Sequence, residues 1–242
     1  MIGVRLVLKK PSQQHILYIR PEWKIWPSFA IILLVLALGA LLSLFQESVQ
    51  RPGGFLLLGS VLQFACFFLI PLYVVTVRHK QPLPALGIQE KFLTNGLGKA
   101  LLWGLLLFGL HFLIAVLLLI FFPEHPQEQQ FVVQAMLEED RTFELAGLIF
   151  YIIVLAPVGE EIFFRAFLLG ALETRFGSLA GIVISSLVFG ALHEGMWNFL
   201  PIFAGGCGFA LLYIKYRDVS MNIFAHAVWN SIIVLLMFGA RG

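Results

Sequence analysis

Long runs of apolar residues constrain the fold of this chain more than any other feature of its sequence. The run at 54–77, GFLLLGSVLQFACFFLIPLYVVTV, has no charged residue and exceeds the about 20 apolar residues that a helix needs to cross a bilayer. Inside a bilayer the backbone must satisfy its own hydrogen bonds, and a helix does so within one segment. The runs therefore predict an all-α fold, a polytopic bundle of transmembrane helices.

Seven spans can be assigned, or eight if an interfacial or broken helix is counted separately. The last three are short or rich in glycine, and Pro201 with the glycines at 205, 206 and 208 predicts a bent or broken sixth span. The predicted spans are about 27–45, 54–77, 99–122, 144–170, 178–193, 197–214 and 220–239.

The composition leaves little room for a soluble part. Hydrophobic residues make up 60% of the 242 residues and charged residues 12%, whereas a soluble domain is usually about half apolar and a quarter charged. We therefore predict a single integral membrane domain over 1–242, with N-terminal spans and loops at 1–143 and a motif-bearing core at 144–242. Cys66 and Cys207 form no CxxC pair and are predicted to be small core residues.

The positive charges predict the orientation of the bundle. With seven spans, twelve Lys and Arg fall on the side of the N-terminus and three on the opposite side. Because cytoplasmic loops carry the excess of Lys and Arg, we predict a multi-pass protein of the cell membrane with a cytoplasmic N-terminus. The basic residues are spread over loops, and the chain has no P-loop or GxGxxG motif, so the predicted partner is the lipid bilayer and not nucleic acid.

A few ionisable side chains lie within the apolar runs, where each costs about 2.5–3.5 kcal/mol at the centre of a span. They must therefore face protein or water. Three are in the stretch GEEIFFRAF of span four, one ends span five, and one is in span seven with an asparagine one turn later. These residues are Glu160, Glu161, Arg165, His193, His226 and Asn230, and His111 in span three is a further histidine that is interpreted as a core or pore-facing residue.

Helical spacing sorts these residues into pairs. Glu161 and Arg165 are four apart, so they share a face and are predicted to form an ion pair, while Glu160 is turned by about 100° from Glu161. Pro157 loosens the backbone just before the two glutamates. The same spacing of four relates Phe189 to His193 and His226 to Asn230.

One free glutamate, two histidines and an asparagine suit hydrolysis. A carboxylate and an imidazole can take the proton of a water that attacks a carbonyl, while a second histidine and an asparagine donate hydrogen bonds to the oxyanion. The GxSxG elbow of serine hydrolases is absent. Glutamate and histidine also bind metals, so a divalent metal on Glu160, His193 and His226 stays an alternative, although the sequence has no HExxH motif.

Three segments in the C-terminal part resemble the motifs of a known family. EEIFFR at 160–165, FGALH at 189–193 and HAVWN at 226–230 are similar to the EExxxR, FxxxH and HxxxN/B motifs of the CAAX-protease and bacteriocin-processing (CPBP, Abi) family of intramembrane proteases. The resemblance covers about 145–239. The N-terminal spans share only their hydrophobicity with the family.

The resemblance implies an intramembrane endopeptidase and a role for each matched residue. Glu160 is implied as the general base, His193 as the residue that helps to hold or activate the water, and His226 with Asn230 as the oxyanion hole. The implied substrate is a peptide or membrane protein, prenylated in the eukaryotic branch of the family, that enters from the cytoplasmic side and the membrane.

The other matched residues are implied to support the site. Glu161 and Arg165 would be a structural ion pair, and Phe189 would pack beside the catalytic groups. The family has been described both as metal-dependent and as a glutamate-type protease. Because the matched residues lack a defined metal-ligand spacing, no cofactor is firmly implied, and Zn²⁺ or another divalent metal is the alternative.

Other classes of protein use similar residues. A catalytically silent member of the family could serve as an immunity or scaffold protein. A proton-coupled transporter buries the same Glu and His side chains, but transporters of this kind are typically built from repeats, and the sequence shows no internal repeat. A network of polar contacts between helices is the structural alternative.

Overall fold

The computed structural model describes residues 19–46, 52–88, 96–124, 136, 142–193 and 195–239. Seven apolar helices, and no strand, account for these ranges apart from short turns, which confirms the predicted helical bundle. The helices are α1 (Trp26–Gln46), α2 (Pro52–Tyr73, continued by a π-helical turn at Val74–Arg78), α3 (Leu97–Phe121), α4 (Thr142–Phe176), α5 (Ser178–Ala191), α6 (Met196–Tyr216) and α7 (Val219–Gly239).

Six of these seven helices are long and apolar enough to cross a membrane, and α5 is the exception. It has 14 residues, which at 1.5 Å per residue is about 21 Å, against about 30 Å of hydrocarbon. The helix ends at Ala191, so His193 lies in the turn that follows α5 and not in its last turn. Helix α4 is longer than predicted, because it ends at Phe176, six residues beyond the predicted end at 170.

The predicted break in span six is not found in the described structure, where α6 is one continuous helix. Pro201 is close to the start of this helix, and the glycines act through packing. A Cβ at Gly205 would collide with the ring of Trp229, and one at Gly208 would collide with Leu107. The glycines therefore allow α7 and α3 to approach α6 closely, as small residues do between membrane helices.

Helix α4 is the centre of the bundle. It packs against α2, α5, α6 and α7, and every residue at 159–172 is buried. A helix that is apolar almost all round belongs in an interior, and the charged residues of this stretch are enclosed with it. Helices α1 and α3 are peripheral, since most of their side chains are exposed to the surroundings of the bundle.

Two stretches of α4 are π-helical, Tyr151–Leu155 and Glu161–Leu169, with a short α-helical piece at Ala156–Glu160 between them. Such stretches are rare and often occur at functional sites. In each stretch one carbonyl accepts a hydrogen bond from a side chain of another segment. Asn230 Nδ2 donates to the oxygen of Ile152 at 2.8 Å, and Trp23 Nε1 donates to that of Phe167 at 2.9 Å.

Candidate active site

The two adjacent glutamates lie where α4 changes from an α-helical to a π-helical register. Glu160 ends the α-helical piece, and Glu161 begins the second π-helical stretch. Both side chains point into the bundle, since Glu160 is 8% exposed and Glu161 is fully buried. The high cost of buried carboxylates is therefore met by partners, which differ between the two residues.

Glu161 is the more heavily bound of the two. Its Oε1 accepts a hydrogen bond from His226 Nδ1 at 2.9 Å, and its Oε2 accepts one from Asn222 Nδ2 at 3.1 Å. The predicted ion pair is present as well, with Arg165 Nε 3.2 Å from Oε2. Glu161 thus fixes two side chains of α7 in addition to neutralising Arg165.

Arg165 is held mainly by aromatic rings. Its guanidinium is fully buried, and apart from the Glu161 ion pair its nitrogens have no hydrogen-bond partner among the described residues. The guanidinium carbon lies 4.6 Å from the ring centre of Phe189, 5.6 Å from that of Phe209 and 5.8 Å from that of Phe164. Desolvated cation–π contacts of this kind contribute about 2 kcal/mol or more. Phe189 therefore supports the site by stacking on the buried cation.

His226 lies between the two glutamates. Because a carboxylate only accepts, the short contact with Glu161 means that Nδ1 carries a hydrogen, and Nε2 is the nitrogen that faces Glu160. The distance from Nε2 to Glu160 Oε2 is 3.9 Å, which is too long for a hydrogen bond. The ring is stacked on Phe209 at a centroid distance of 4.9 Å. Glu160 is therefore near the imidazole but retains its capacity to bind another group.

His193 joins the group through Phe189. Its Nδ1 donates to the backbone oxygen of Phe189 at 2.7 Å, which leaves Nε2 as an acceptor in the neutral ring. The ring of Phe189 is 4.6 Å from that of His193 and 6.2 Å from that of His226. Among the described residues no hydrogen bond or ion pair joins His193 directly to Glu160, so the two are neighbours only through intervening rings.

Asn230 is engaged by the backbone of α4. In this π-helical stretch the N–H of Ala156 donates to the oxygen of Tyr151, five residues earlier. In the same register, an N–H at position 157 would donate to the oxygen of Ile152. Pro157 has no N–H, and Asn230 supplies the missing donor at 2.8 Å. One N–H of this amide is thereby used.

Asn222 is a residue that the sequence reading missed. It is fully buried, and its Nδ2 donates to Glu161 and, at 2.8 Å, to the backbone oxygen of Phe209. The available signal was the spacing on α7, where Asn222, His226 and Asn230 are each four residues apart and so share one face. Two of these three residues contact Glu161.

Comparison with known proteins bears on the same part of the chain. The sequence model of the family described as "Type II CAAX prenyl endopeptidase Rce1-like" matches residues 142–232, which run from the start of α4 into α7 and include every residue of the candidate site. The resemblance inferred from the three motifs is thus confirmed.

Residues 142–232 are therefore similar to the CPBP family.

A curated relative supports the assignment to the CPBP family. "Putative membrane peptidase YdiL" of Bacillus subtilis (strain 168) is 34% identical over 83 residues. The match covers 34% of this chain and 34% of the relative, so the chain spans about a third of the relative's length. No solved structure matches the chain. The comparisons thus show a CAAX-protease-like region, and it lies in a chain with six described helices that are long and apolar enough to cross a membrane.

Glutamate and histidine side chains of the candidate site are of the types that bind metal ions. In the described ranges, no three His, Cys, Asp or Glu side chains are arranged to hold one. The residues nearest to such a set are Glu160, Glu161 and His226, but Glu161 is already occupied by Arg165 and Asn222. A divalent metal on Glu160, His193 and His226 stays a prediction.

Proposed function

We propose that this chain is an intramembrane endopeptidase in which Glu160 is the general base. The observation that carries the proposal is the different binding of the two glutamates. Glu161 is saturated by His226, Asn222 and Arg165, whereas Glu160 accepts no hydrogen bond from the described residues and has only the 3.9 Å approach of His226 and the more distant charge of Arg165. A buried carboxylate that is not saturated by partners is available to take a proton from water.

In the proposed reaction, Glu160 removes a proton from a water whose oxygen attacks the carbonyl carbon of a peptide bond. The Nε2 of His193 accepts a hydrogen bond that helps to hold this water. The carbonyl oxygen becomes an oxyanion, to which the second N–H of Asn230 and, when the imidazole is protonated, the Nε2–H of His226 donate. The leaving nitrogen then receives the proton from Glu160, and the C–N bond breaks.

The charges of the cluster support this assignment. With His226 as an imidazolium, the charges of Glu160, Glu161, Arg165 and His226 cancel, which lowers the cost of enclosing them. When Glu160 takes the proton, its negative charge is replaced by that of the oxyanion. The total charge of the site is then unchanged along the reaction, and Glu161 keeps the ring of His226 oriented.

The proposed substrate is a peptide or membrane-protein segment that reaches the site at membrane depth. The family that 142–232 resembles implies a peptide substrate and a membrane setting. Prenylated peptides are one candidate class and unmodified hydrophobic peptides the other. A panel of hydrophobic peptides, each prepared with and without a prenyl group, distinguishes the two classes. The ratio of kcat/KM for the prenylated peptide to that for the unmodified peptide is the quantity compared.

The test compares peptide cleavage by the full chain in nanodiscs with that by Glu160→Gln and His193→Ala. We expect Glu160→Gln to lower kcat by about 10²- to 10⁴-fold, the usual contribution of a general base. Glu144→Gln is the matched control, because it makes the same chemical change near the start of the same helix. Full activity of both site variants would refute the protease proposal, and absence of cleavage by the wild type would favour a silent family member.

A further inference from the structure

A large cavity lies at the end of the bundle where α1 begins and α2 and α4 end. Its volume is about 1660 Å³, and its walls are residues 19–26 with Phe29, the loop at 79–82, the last turns of α4 and Ile184 of α5. No residue of the candidate active site lines it. Pockets for small soluble ligands are usually about 300–1,000 Å³, so this cavity admits something larger.

The charged residues of the cavity are mostly cations. Arg20, Lys24, Lys80 and Arg175 line it together with one carboxylate, Glu22. In the ranges that the structure describes, no ion pair joins any of these four cations to an acid. The end of the bundle that holds them is also the one that the distribution of Lys and Arg predicts to be cytoplasmic. A ligand of this cavity is therefore expected to be an anion.

The rest of the lining is apolar and aromatic. Trp26 is 75% exposed and Phe176 is 53% exposed, and Phe29 lies one turn into α1 beside them. Tryptophan in this position is typical of the boundary between head groups and hydrocarbon. The cavity thus combines a cationic rim with an apolar wall that continues onto the exposed face of α1.

The wall contributed by the segment before α1 is fixed in place. Gln81 is buried, its Nε2 donates to the oxygen of Arg20 at 3.1 Å, and its Oε1 accepts from the N–H of Glu22 at 3.3 Å. Trp23 is stacked on Phe167 of α4 at a centroid distance of 5.4 Å. A wall held by these contacts is formed before a ligand arrives, which reduces the ordering that binding requires.

We propose that this cavity binds an anionic phospholipid, with the four cations around the phosphate and the aromatic side chains along the start of the acyl chains. A soluble phosphate would satisfy the cations but leave the apolar wall exposed. A zwitterionic lipid would satisfy the wall but present its own cation to the rim. Basic pockets between membrane helices bind anionic head groups in this way.

The test measures lipid retention by the full chain in detergent, using native mass spectrometry with phosphatidylglycerol or phosphatidylcholine. The cavity variant is Lys80→Gln with Arg175→Gln, and Arg20→Gln with Lys24→Gln is a second variant in case the first does not fold. Lys99→Gln with Lys215→Gln is the matched control, since both are exposed cations outside the cavity lining at the ends of α3 and α6 that lie on this side.

We expect the wild type to retain phosphatidylglycerol in preference to phosphatidylcholine. Each cation removed from the cavity should weaken retention of phosphatidylglycerol about fivefold, and the control variant should match the wild type. Equal retention of the two lipids, or an equal loss in the control variant, would overturn the proposal in favour of general surface charge. Displacement of phosphatidylglycerol by millimolar inorganic phosphate would overturn it in favour of a soluble anion.

Discussion

Glu161 contacts three side chains from two helices, so its removal should destabilise the packing of both helices. Arg165 comes from α4 itself, while Asn222 and His226 come from α7. Breaking a buried ion pair by removing one partner costs about 3–5 kcal/mol, because the other charge is left without compensation. The cluster is thus a structural joint between α4 and α7 as well as the setting of the candidate active site.

We predict that Glu161→Gln lowers the free energy of unfolding by about 3–5 kcal/mol. Glu173→Gln is the comparison, because Glu173 pairs with Arg217 at 2.6 Å near the end of α4, where both side chains remain partly exposed. That change should cost less, about 1–3 kcal/mol, because water still reaches the Arg217 charge that is left. Reversible unfolding in detergent measures both values. Equal losses would contradict the role given to Glu161, and Arg165→Met should restore part of the stability of Glu161→Gln.

Asn222 should influence catalysis only through its partners. Asn222→Ala removes a hydrogen bond from Glu161 and another from the oxygen of Phe209, at about 1 kcal/mol each. Because Glu161 orients His226, we expect kcat to fall while KM changes little. An Asn222→Ala enzyme with unchanged kcat and reduced stability would show that Asn222 is structural only.

At the residue scale, the sequence allowed the ion pair to be predicted but not the wider cluster. A spacing of four on one helix is sufficient for the contact of Glu161 with Arg165. The contacts of Glu161 with Asn222 and His226 depend on the register between α4 and α7, which local periodicity does not contain. The 100° turn between Glu160 and Glu161 also assumes an α-helix, whereas the π-helical register begins at Glu161.

At the scale of the elements, α4 contains a proline whose missing backbone donor is replaced by a side-chain amide of another helix. Pro157 removes the donor for the oxygen of Ile152, and Asn230 replaces it across the interface between α4 and α7. The proline was visible in the sequence as a loosening of the helix. Its partner was not, because the backbone register that exposes this carbonyl follows from the packing of the whole bundle.

This match makes a rescue experiment available. Asn230→Leu should lower the free energy of unfolding by about 1–3 kcal/mol, because the oxygen of Ile152 loses its donor. Pro157→Ala supplies a backbone N–H at the position where that donor is missing, so the double variant should regain most of the loss. Unfolding of the four proteins forms a double-mutant cycle. Additive effects would contradict the pairing.

Asp218 defines the junction between α6 and α7. It lies between the two membrane-spanning segments, and its Oδ1 accepts a hydrogen bond from the N–H of Ser220, as an N-cap does. Burial raises the pKa of the Asp218 carboxyl above its ordinary value, and the bonds from Ser220 and Met221 only partly offset this.

The raised pKa predicts a pH dependence. The contribution of Asp218 to stability is present below the pKa of the unfolded chain and is lost as the pH rises through the higher folded pKa. Asp218→Asn keeps an acceptor for the cap and does not ionise, so its stability relative to the wild type should increase over that pH range. Thermal unfolding between pH 3 and 7 measures the difference. A difference that does not change with pH would contradict the assignment.

At the scale of the whole molecule, the apolar runs predicted the helices well, because a bilayer imposes the length of each span. The predicted helix bounds and shapes are least accurate where one segment packs against another. Helix α4 continues to Phe176 although charged residues begin at Glu173, since its last turns pack against Pro21 and Trp23. Helix α6 stays continuous because its glycines are packed against neighbours. The single membrane domain and its division at 143 and 144 stay predictions.

The cytoplasmic position of the N-terminus also stays a prediction, and it can be tested by labelling. In a chain with Cys66→Ala and Cys207→Ala, Lys80→Cys places a thiol beyond the end of α2, and Glu124→Cys places one beyond the end of α3. A membrane-impermeant maleimide added to intact cells should label position 124 and spare position 80. The reverse pattern would invert the topology.

The short helix α5 has a consequence for the lipid around it. At about 21 Å it falls some 9 Å short of a hydrocarbon layer of about 30 Å, so the bilayer beside it must thin or the turn after Ala191 must lie below the surface of the membrane. Irregular backbone at that depth is tolerated where protein covers it or water reaches it. Where the turn lies below the membrane surface, we expect the hydrophobic mismatch of α5 to give water a route to His193.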